Sequence, residues 1–421
     1  MPQNNPSFGT ELPREFTQIK KVPGLEKLRM PEEIELSDED LEEILEEPSG
    51  TTRKAEYSVV ESLEGETRLK FGLASEASHE HPDRNEDAAF YSPNRGIQMV
   101  ADGMGGVPAG ELASNKAARQ LTKERLAHMD PKTRKVLESN REEPLEQREV
   151  EYAVKNIIQQ MNESVSRLGQ ENPEVQAKAK EYFEKEIGHY DESDENHKTI
   201  FEGLLKSIGC TVSMSKIWRD AKGKDHLTVG NIGDSRTYRL RKGKLEKLTR
   251  DDSHVQILID EGIKDKDGRP ITDDEDITRE MDKKEIIALA DKRPELRPLI
   301  PSLVRQTGQY VTIDSIRNRI TQAVGVAEML KKQYGTEFEP FVKTYPLEDG
   351  DVILTVSDGV TDNLTDTEIQ AILRLHENNP LEATKSLQQA ATERAIRGKG
   401  ANARAKPDDV TALIASYSRK S

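Results

Sequence analysis

Short apolar runs, bounded by glycine and charged residues, recur along this 421-residue chain and predict β-strands. The predicted strands are 69–74, 97–101, 210–214, 227–232, 235–240, 245–248, 338–347, 351–357 and 410–417. Turn residues at 233–234 and 242–244 separate the middle strands, which indicates a meander. Between the early strands, 149–168 keeps apolar residues at three- and four-residue steps, and 110–129 is rich in Ala and Leu; both predict helices.

Two further helices are predicted before the final strand. Thr365 followed by Glu368 fits a capping box. Asn379 and Pro380 predict the start of the next helix, and Gly398 predicts its end. Strands, inserted helices, more strands, two helices and a closing strand together predict an α+β fold, with antiparallel sheets and helices packed outside them.

The first 66 residues differ in character from the rest. The stretch 32–47 is densely acidic and contains no basic residue. Such a block is typical of a solvated helix or a disordered tail, and a docking helix or a pseudosubstrate-like acidic arm is the alternative. We therefore predict a flexible acidic extension over 1–66, which a regulatory partner would recognise, and a folded domain over 67–421.

Charge and cysteine content narrow the classes of protein. Lys and Arg total 62 and Asp and Glu total 78, so the formal net charge is −16, which argues against a nucleic-acid-binding surface. Cys210 is the one cysteine, so no intrachain disulfide can form and a reducing compartment is expected. We see no signal peptide at 1–5 and no apolar stretch near the roughly 20 residues of a membrane helix. A soluble cytoplasmic protein that does not contact membranes is the expectation.

Four stretches, far apart in sequence, each place carboxylates at a predicted strand end or turn: 84–87, 101–106, 357–359 and 407–411. Crowded acids are costly unless a cation neutralises them. Because no cysteine or histidine framework accompanies them, hard cations with oxygen ligands are indicated, such as magnesium or manganese. The glycines after Asp102 and Asp358 permit a sharp turn and a close approach of backbone to an ion; either pair alone is explained by an ordinary turn.

These motifs resemble those of the metal-dependent protein serine/threonine phosphatases of the type 2C family, in a bacterial-like form. The resemblance covers about 67–418 and keeps the family's order of motifs. The matching segments are 85–87, 100–106, 208–211, 230–236, 248–254, 319–325, 357–359 and 408–411.

The resemblance implies a four-layer α-β-β-α sandwich of two antiparallel sheets flanked by helices. It also implies a role in signalling, as a hydrolase of phosphoserine and phosphothreonine proteins. Two ions, Mn²⁺ or Mg²⁺, would activate a bridging hydroxide for in-line attack on the phosphomonoester, with a third, weaker ion in some members.

Residue roles follow from the same resemblance. Asp102 would bridge both ions, with the Gly103 carbonyl assisting at one of them. Asp358 and Asp408 would serve the first ion, and Glu86 the second. Asp87 would hold metal-bound waters. Asp234 would belong to the third site, unless it is an ordinary turn aspartate.

Three positions depart from the family pattern. Pro82 stands where the phosphate-binding arginine is expected, and Arg84 or His81 is the candidate replacement. With Asp102 and Asp358, Arg84 completes the predicted catalytic set. Met104 stands where some members have a histidine acting as general acid, and Asp409 replaces the commoner asparagine.

Two segments exceed the family's usual length: a polar insertion at about 170–205 and an enlarged flap at about 255–315. In the family, the flap lies beside the catalytic cleft. We therefore hypothesise that the long charged flap influences which substrates are accepted.

Other classes of protein fit less well. Cys210 lies in a predicted strand, and the residue six positions later is Lys216 rather than the arginine of a cysteine-based phosphatase loop. No Gly-x-Ser-x-Gly motif of a serine hydrolase occurs. A non-catalytic phosphoprotein-binding or regulatory scaffold on the same fold, and a calcium-binding structural protein, remain alternatives.

Overall fold

The computed structural model describes residues 56–64, 67–104, 109–141, 143–272, 277–317, 319–377 and 379–419. Most of the predicted N-terminal extension, including the acidic stretch 32–47, lies outside the described residues. No helix in the described ranges combines the length and apolar character that spanning a bilayer requires.

The strands pair antiparallel in two large sheets and one small one. They are β1 (Glu56–Glu64), β2 (Thr67–Glu76), β3 (Asp87–Ser92), β4 (Ile97–Met104), β5 (Gly209–Cys210), β6 (Val212–Arg219), β7 (Asp225–Ile232), β8 (Arg236–Arg241), β9 (Lys244–Lys247), β10 (Glu280–Asp282), β11 (Tyr310–Thr312), β12 (Phe341–Pro346), β13 (Val352–Val356) and β14 (Val410–Arg419). The first large sheet has the order β1-β2-β14-β13-β8-β9. The second has the order β12-β7-β6-β4-β3, with β5 paired to β4, and β10 and β11 form the small sheet.

The helices lie on the outer faces of the large sheets and in two inserted segments. They are α1 (Gly110–Ala118), α2 (Lys123–Leu126), α3 (Pro131–Glu138), α4 (Gln147–Ser166), α5 (Leu168–Glu171), α6 (Pro173–Glu186), α7 (Glu195–Leu205), α8 (His254–Asp260), α9 (Lys283–Leu289), α10 (Ile300–Arg305), α11 (Ala327–Tyr334), α12 (Asp358–Thr361), α13 (Asp366–Leu375) and α14 (Pro380–Arg397). The predicted helix over 110–129 is interrupted, because Thr122 has an extended backbone between α1 and α2.

The two sheets stack face to face around an apolar core. Alternate residues of β2, such as Leu69, Phe71 and Leu73, point between the sheets, where they join Val100 and Val229 of the second sheet. Successive side chains of a strand point to opposite faces of the sheet, which is why these alternate residues share the interface between the two sheets.

Helices cover the outer face of each sheet. Helices α1 and α4 pack on the second sheet, where Ala113 and Ile157 belong to one buried cluster with Met99 of β4. Helices α13 and α14 pack on the first sheet in the same way. The four-layer α-β-β-α sandwich predicted from the sequence is therefore confirmed.

Strand β1 lies inside the segment that the sequence predicts to be a flexible extension. It pairs with the whole of β2, from Glu56 opposite Ser75 to Glu64 opposite Thr67. The Ser58 hydroxyl is also 2.7 Å from the Tyr91 hydroxyl of the second sheet. The sequence pattern does not predict this strand because charged residues are frequent along it, as is common at a sheet edge.

The enlarged flap is a small folded unit with its own apolar core. Buried residues from α8, α9, α10 and β11, among them Leu258, Ile286, Leu303 and Val311, form a cluster separate from the main cores. The flap closes at its base, where Ser253 and Ile320 form an antiparallel bridge.

His254 begins α8 at this base and is buried as a neutral ring. Its Nε2 is 2.8 Å from the Glu295 carbonyl oxygen, whereas Nδ1 is buried and has no hydrogen-bond partner among the described residues. Burial is the main cause that lowers the pKa of His254 from 6.5 to about 4. A proton added to Nδ1 would find no acceptor, so protonation favours the unfolded chain.

We expect this histidine to destabilise the protein between pH 6.5 and about 4, because the unfolded chain binds a proton there that the folded chain does not. The loss grows as the pH falls and reaches up to about 3 kcal/mol. The loss is measured by thermal unfolding of the wild type and of His254→Gln, which keeps an N–H donor. It equals the difference between the two curves of stability against pH. His128→Gln, at an exposed position, is the control. Parallel profiles for His254→Gln and wild type would contradict the expectation.

Candidate metal centre

The centre is built where the ends of four neighbouring strands meet. Asp87 begins β3 and lies directly opposite Asp102 near the end of β4. Asp358 follows β13, and Asp408 precedes β14, which pairs with β13. Four predicted metal-binding acids from distant stretches of sequence are thus brought to one edge of the sandwich.

Both Asp-Gly pairs are required for close backbone packing rather than for a turn. A Cβ atom on Gly103 would lie 2.2 Å from the Gly110 carbonyl oxygen, and one on Gly359 would lie 1.8 Å from the Asp409 carbonyl oxygen. Neither glycine has a positive φ angle. The predicted sharp turn after Asp102 is wrong, because β4 continues to Met104. The glycines instead allow the acid-bearing segments to approach one another.

A lysine side chain contacts the acids that lie at the end of the first sheet. Lys406 Nζ lies 2.7 Å from Asp358 Oδ2, 2.7 Å from Asp362 Oδ2 and 2.8 Å from Asp408 Oδ2. Sequence reasoning missed Asp362 and Lys406. Asp362 is four residues after Asp358, a spacing that puts both acids on one face of a helical turn, and this was the available signal. Lys406 has no comparable signal in its polar surroundings.

The buried acids resist ionisation in the absence of a cation. Burial raises the pKa of Asp102 well above its usual value, and the neighbouring Asp358 raises it further. Burial, followed by Asp409, does the same for Asp87. For Asp408, burial and Asp358 outweigh the opposing effect of Lys406, and the pKa is raised to about 7. Burial together with like-charge repulsion is the electrostatic signature of a cation site.

A loop that precedes β3 carries the predicted phosphate-binding residues. Arg84 Nε donates to Glu86 Oε1 at 3.0 Å, and the Arg84 side chain is 37% exposed. His81 Nδ1 lies 3.6 Å from Asp409 Oδ1. One ligand atom from each of His81, Glu86 and Asp409 lies within 4.8 Å of the others, so this loop offers a second set of possible ligands beside the first.

Asp409 fastens that loop to the start of β14. Its Oδ1 accepts the Ser78 backbone N–H and its Oδ2 accepts the Glu86 backbone N–H, both at 2.6 Å. An asparagine offers one acceptor oxygen, and its amide group would face the second N–H donor. The aspartate at this position therefore has a structural explanation in this chain.

Asp234 lies on the flap side of the centre, between β7 and β8. With Asp251, Asp358 and Asp362 it lines one small cavity. Burial raises its pKa well above the usual value, and Asp358 adds to the shift. The structure thus places Asp234 beside the predicted metal-binding acid Asp358, whereas Glu86 and His81 form a separate group with Asp409.

The polar insertion also reaches this neighbourhood. Lys178 on α6 forms an ion pair with Glu111 in the first turn of α1. Glu111 contributes to the raised pKa of Glu86, after burial and Asp409. Sequence reasoning did not single out Glu111, which carries no motif. The insertion therefore touches the residues around Glu86 through one ion pair.

The donors fit divalent cations. Asp87 Oδ1 and Asp358 Oδ1 are buried carboxylate oxygens that accept no hydrogen bond among the described residues. The other oxygen of each carboxylate has a partner. Asp87 Oδ2 accepts a hydrogen bond from the Ser357 hydroxyl at 2.7 Å, and Asp358 Oδ2 forms an ion pair with Lys406. Buried polar atoms normally have partners, and oxygen-only donors suit Mg²⁺ or Mn²⁺.

Comparisons of the fold and the sequence with known proteins bear on the resemblance found in the sequence. They confirm the resemblance to the metal-dependent protein serine/threonine phosphatases of the type 2C family, in its bacterial form. The family model for stage II sporulation protein E (SpoIIE) matches residues 301–418.

Among curated relatives, the serine/threonine protein phosphatase PstP of Mycobacterium tuberculosis is 26% identical over 331 residues. That match covers 79% of this chain and 42% of PstP, so the chain spans less than half of that relative. Serine/threonine phosphatase stp of Listeria monocytogenes is 25% identical over 297 residues, which covers 70% of this chain and 78% of stp. Among solved structures, serine/threonine phosphatase Stp1 from Staphylococcus aureus shares the fold with a TM-score of 0.50 and 21% identity, over 85% of this chain and 99% of Stp1.

Proposed function

We propose that this protein is a metal-dependent phosphatase that hydrolyses phosphoserine and phosphothreonine in proteins. The observation that carries the proposal is the convergence of Asp87, Asp102, Asp358 and Asp408 at one edge of the sandwich. Two of their buried carboxylate oxygens have no hydrogen-bond partner among the residues that the structure describes. A binding module has little reason to keep such acids together, because their repulsion and burial destabilise the fold.

Each residue would have a role that depends on which of the two ions it binds. Asp358 and Asp408 would hold a first Mn²⁺ or Mg²⁺, Glu86 would hold a second, and Asp102 would serve both. Asp87 would orient water, and the Gly103 carbonyl would complete one ion's ligands. The bound ions would supply a water of lowered pKa and positive charge for the phosphoryl oxygens.

Substrate binding would use the loop before β3. The Arg84 guanidinium is exposed beside Glu86 and can pair with two phosphate oxygens at once. His81, held near Asp409, is a second candidate on the same loop. On the other side, Asp234 is our candidate for a third, weaker metal site. These assignments extend to this chain the roles that the family resemblance implies.

The flap is our candidate for shaping substrate choice. Arg317, at the end of the flap, donates to the Asp362 and Arg404 carbonyl oxygens, both at 3.1 Å. Asp362 lies at the end of the short helix that begins with Asp358, so the flap is anchored directly beside the proposed centre. A phosphoprotein approaching the acids would meet this flap.

We expect hydrolysis of para-nitrophenyl phosphate by the purified chain to require added Mn²⁺ or Mg²⁺ and to stop on addition of chelator. A phosphothreonine peptide should be hydrolysed under the same conditions. Manganese should also raise the thermal unfolding midpoint, since the ions neutralise buried carboxylates that otherwise repel one another.

The contrary outcome has a definite meaning. A folded protein whose unfolding midpoint rises with manganese but which hydrolyses neither substrate would support the alternative of a non-catalytic phosphoprotein-binding scaffold. The assay should then be repeated without residues 1–55, because an acidic pseudosubstrate arm would suppress turnover in the full chain.

A further inference from the structure

A lysine ammonium group lies among the acids that we propose as ligands of the first metal ion. Lys406 Nζ is within 2.7–2.8 Å of one oxygen each of Asp358, Asp362 and Asp408. Three carboxylates satisfy all three donors of an ammonium group. The side chain is 18% exposed, so water screens these contacts only in part.

Two of these three acids have a second task in the proposed function. Asp358 and Asp408 would bind the first ion, yet each already gives one oxygen to Lys406. The other oxygen of Asp358, Oδ1, is buried and has no hydrogen-bond partner within the described part of the chain. A divalent ion bound there would share its anions with a positive charge close by, and the two cations would repel each other strongly in a partly buried site.

Lys406 has a third carboxylate partner, Asp362, in addition to the two proposed metal ligands. Asp362 lies one turn after Asp358 on α12, is not among the predicted ligands, and contacts the same ammonium group. Asp362 therefore offers Lys406 an anion that the metal would not use. An ammonium group that gave up Asp358 and Asp408 to a metal would keep this partner.

We propose that Lys406 is an internal competitor of the first metal ion and sets the metal affinity of the site. In the metal-free protein it neutralises Asp358 and Asp408 and stabilises the fold. When metal binds, part of that stabilisation is given up, so affinity is lower than the carboxylates alone would provide. This inference rests on the proposed function, since it takes Asp358 and Asp408 as ligands.

The test is isothermal titration calorimetry with MnCl₂ on the full chain, after treatment with chelator and gel filtration. Lys406→Met keeps the length of the side chain and removes its charge. The matched control is Lys399→Met, an exposed lysine of the same connection that pairs with Asp314. We expect one manganese site of Lys406→Met to bind the ion more tightly than in wild type, by about tenfold or more. The manganese affinity of Lys399→Met should equal that of wild type.

Thermal unfolding gives a second, independent readout. Without metal, Lys406→Met should unfold at a lower temperature than wild type, because its acids lack a counter-charge. With saturating manganese the difference should vanish or reverse. If the variant folds only with manganese, metal-free protein cannot be titrated. Its manganese affinity is then measured by competition against a chelator of known affinity.

The outcomes separate the two proposals. Equal or weaker manganese binding by Lys406→Met, beside clear binding by wild type, would overturn the competitor role. Absence of manganese binding by wild type, in both heat and unfolding temperature, would instead count against the proposed metal centre. Lys406→Arg, which keeps the charge, should bind manganese about as weakly as wild type, and tight binding by it would also contradict the inference.

Discussion

Asp102→Asn is expected to lower metal-dependent phosphatase activity by about 10³-fold or more, since several kcal/mol of metal-ion stabilisation depend on the anionic ligands. Asp102 lies opposite Asp87, and burial, followed by the neighbouring Asp358, raises its pKa. An amide of the same shape removes one negative charge from the middle of the group. It therefore weakens the attraction for both ions without altering packing.

The same substitution has an opposite effect on the metal-free fold. Because burial and the neighbouring acids make ionisation of Asp102 costly, an amide that cannot ionise removes that cost, and the unfolding midpoint without metal should equal or exceed that of wild type. Steady-state hydrolysis of para-nitrophenyl phosphate with manganese and a thermal scan without it measure both effects. Asp349→Asn, at an exposed turn before β13, is the matched control and should change neither. Substantial activity in folded Asp102→Asn would exclude the bridging role.

Gly359→Ala is expected to destabilise the protein by at least about 3 kcal/mol, since the new methyl group would overlap backbone that cannot move independently. Its Cβ would lie 1.8 Å from the Asp409 carbonyl oxygen and 2.9 Å from the carbonyl carbon. Relief of this overlap requires α12 to move away from the start of β14, which would also separate Asp358 from Asp408.

Thermal and denaturant unfolding check this second prediction. A loss of that size corresponds to a fall of about 6 °C or more in the unfolding midpoint. The control is Gly400→Ala, whose Cβ would meet no atom within 4 Å and whose φ is not positive. A Gly359→Ala protein with wild-type midpoint and wild-type metal affinity would show that the two segments are not in the contact described.

Local sequence signals predicted the parts of the fold that depend on neighbours in sequence. The capping box of Thr365 and Glu368 is present at the start of α13, and Asn379 caps α14 with Pro380 in its first turn. The buried residues of α4 follow the predicted three- and four-residue spacing. Each of these features is decided within one or two turns of chain, which is why a pattern can reveal it.

Features that depend on distant contacts were less visible. The role of Lys406 exists because the residues before β14 meet the helix that follows β13, and no local pattern marks one lysine for it. The sequence showed the flap as long and charged, but its separate core is formed by apolar residues that are far apart along the segment and meet only in the fold. Asp409 looked like a departure from the family motif until its two backbone partners were seen. For the predicted site residues themselves, placement is known, and their chemical roles stay predictions.

The bridge between Ser253 and Ile320 has a consequence for how this chain can vary in length. Because the two ends of the flap are already paired, the rest of the domain needs nothing from the intervening segment to bring them together. The entropy of closing such a loop changes only slowly with its length. Residues can therefore be gained, lost or exchanged between these two points as one unit, while the register of the two large sheets stays the same.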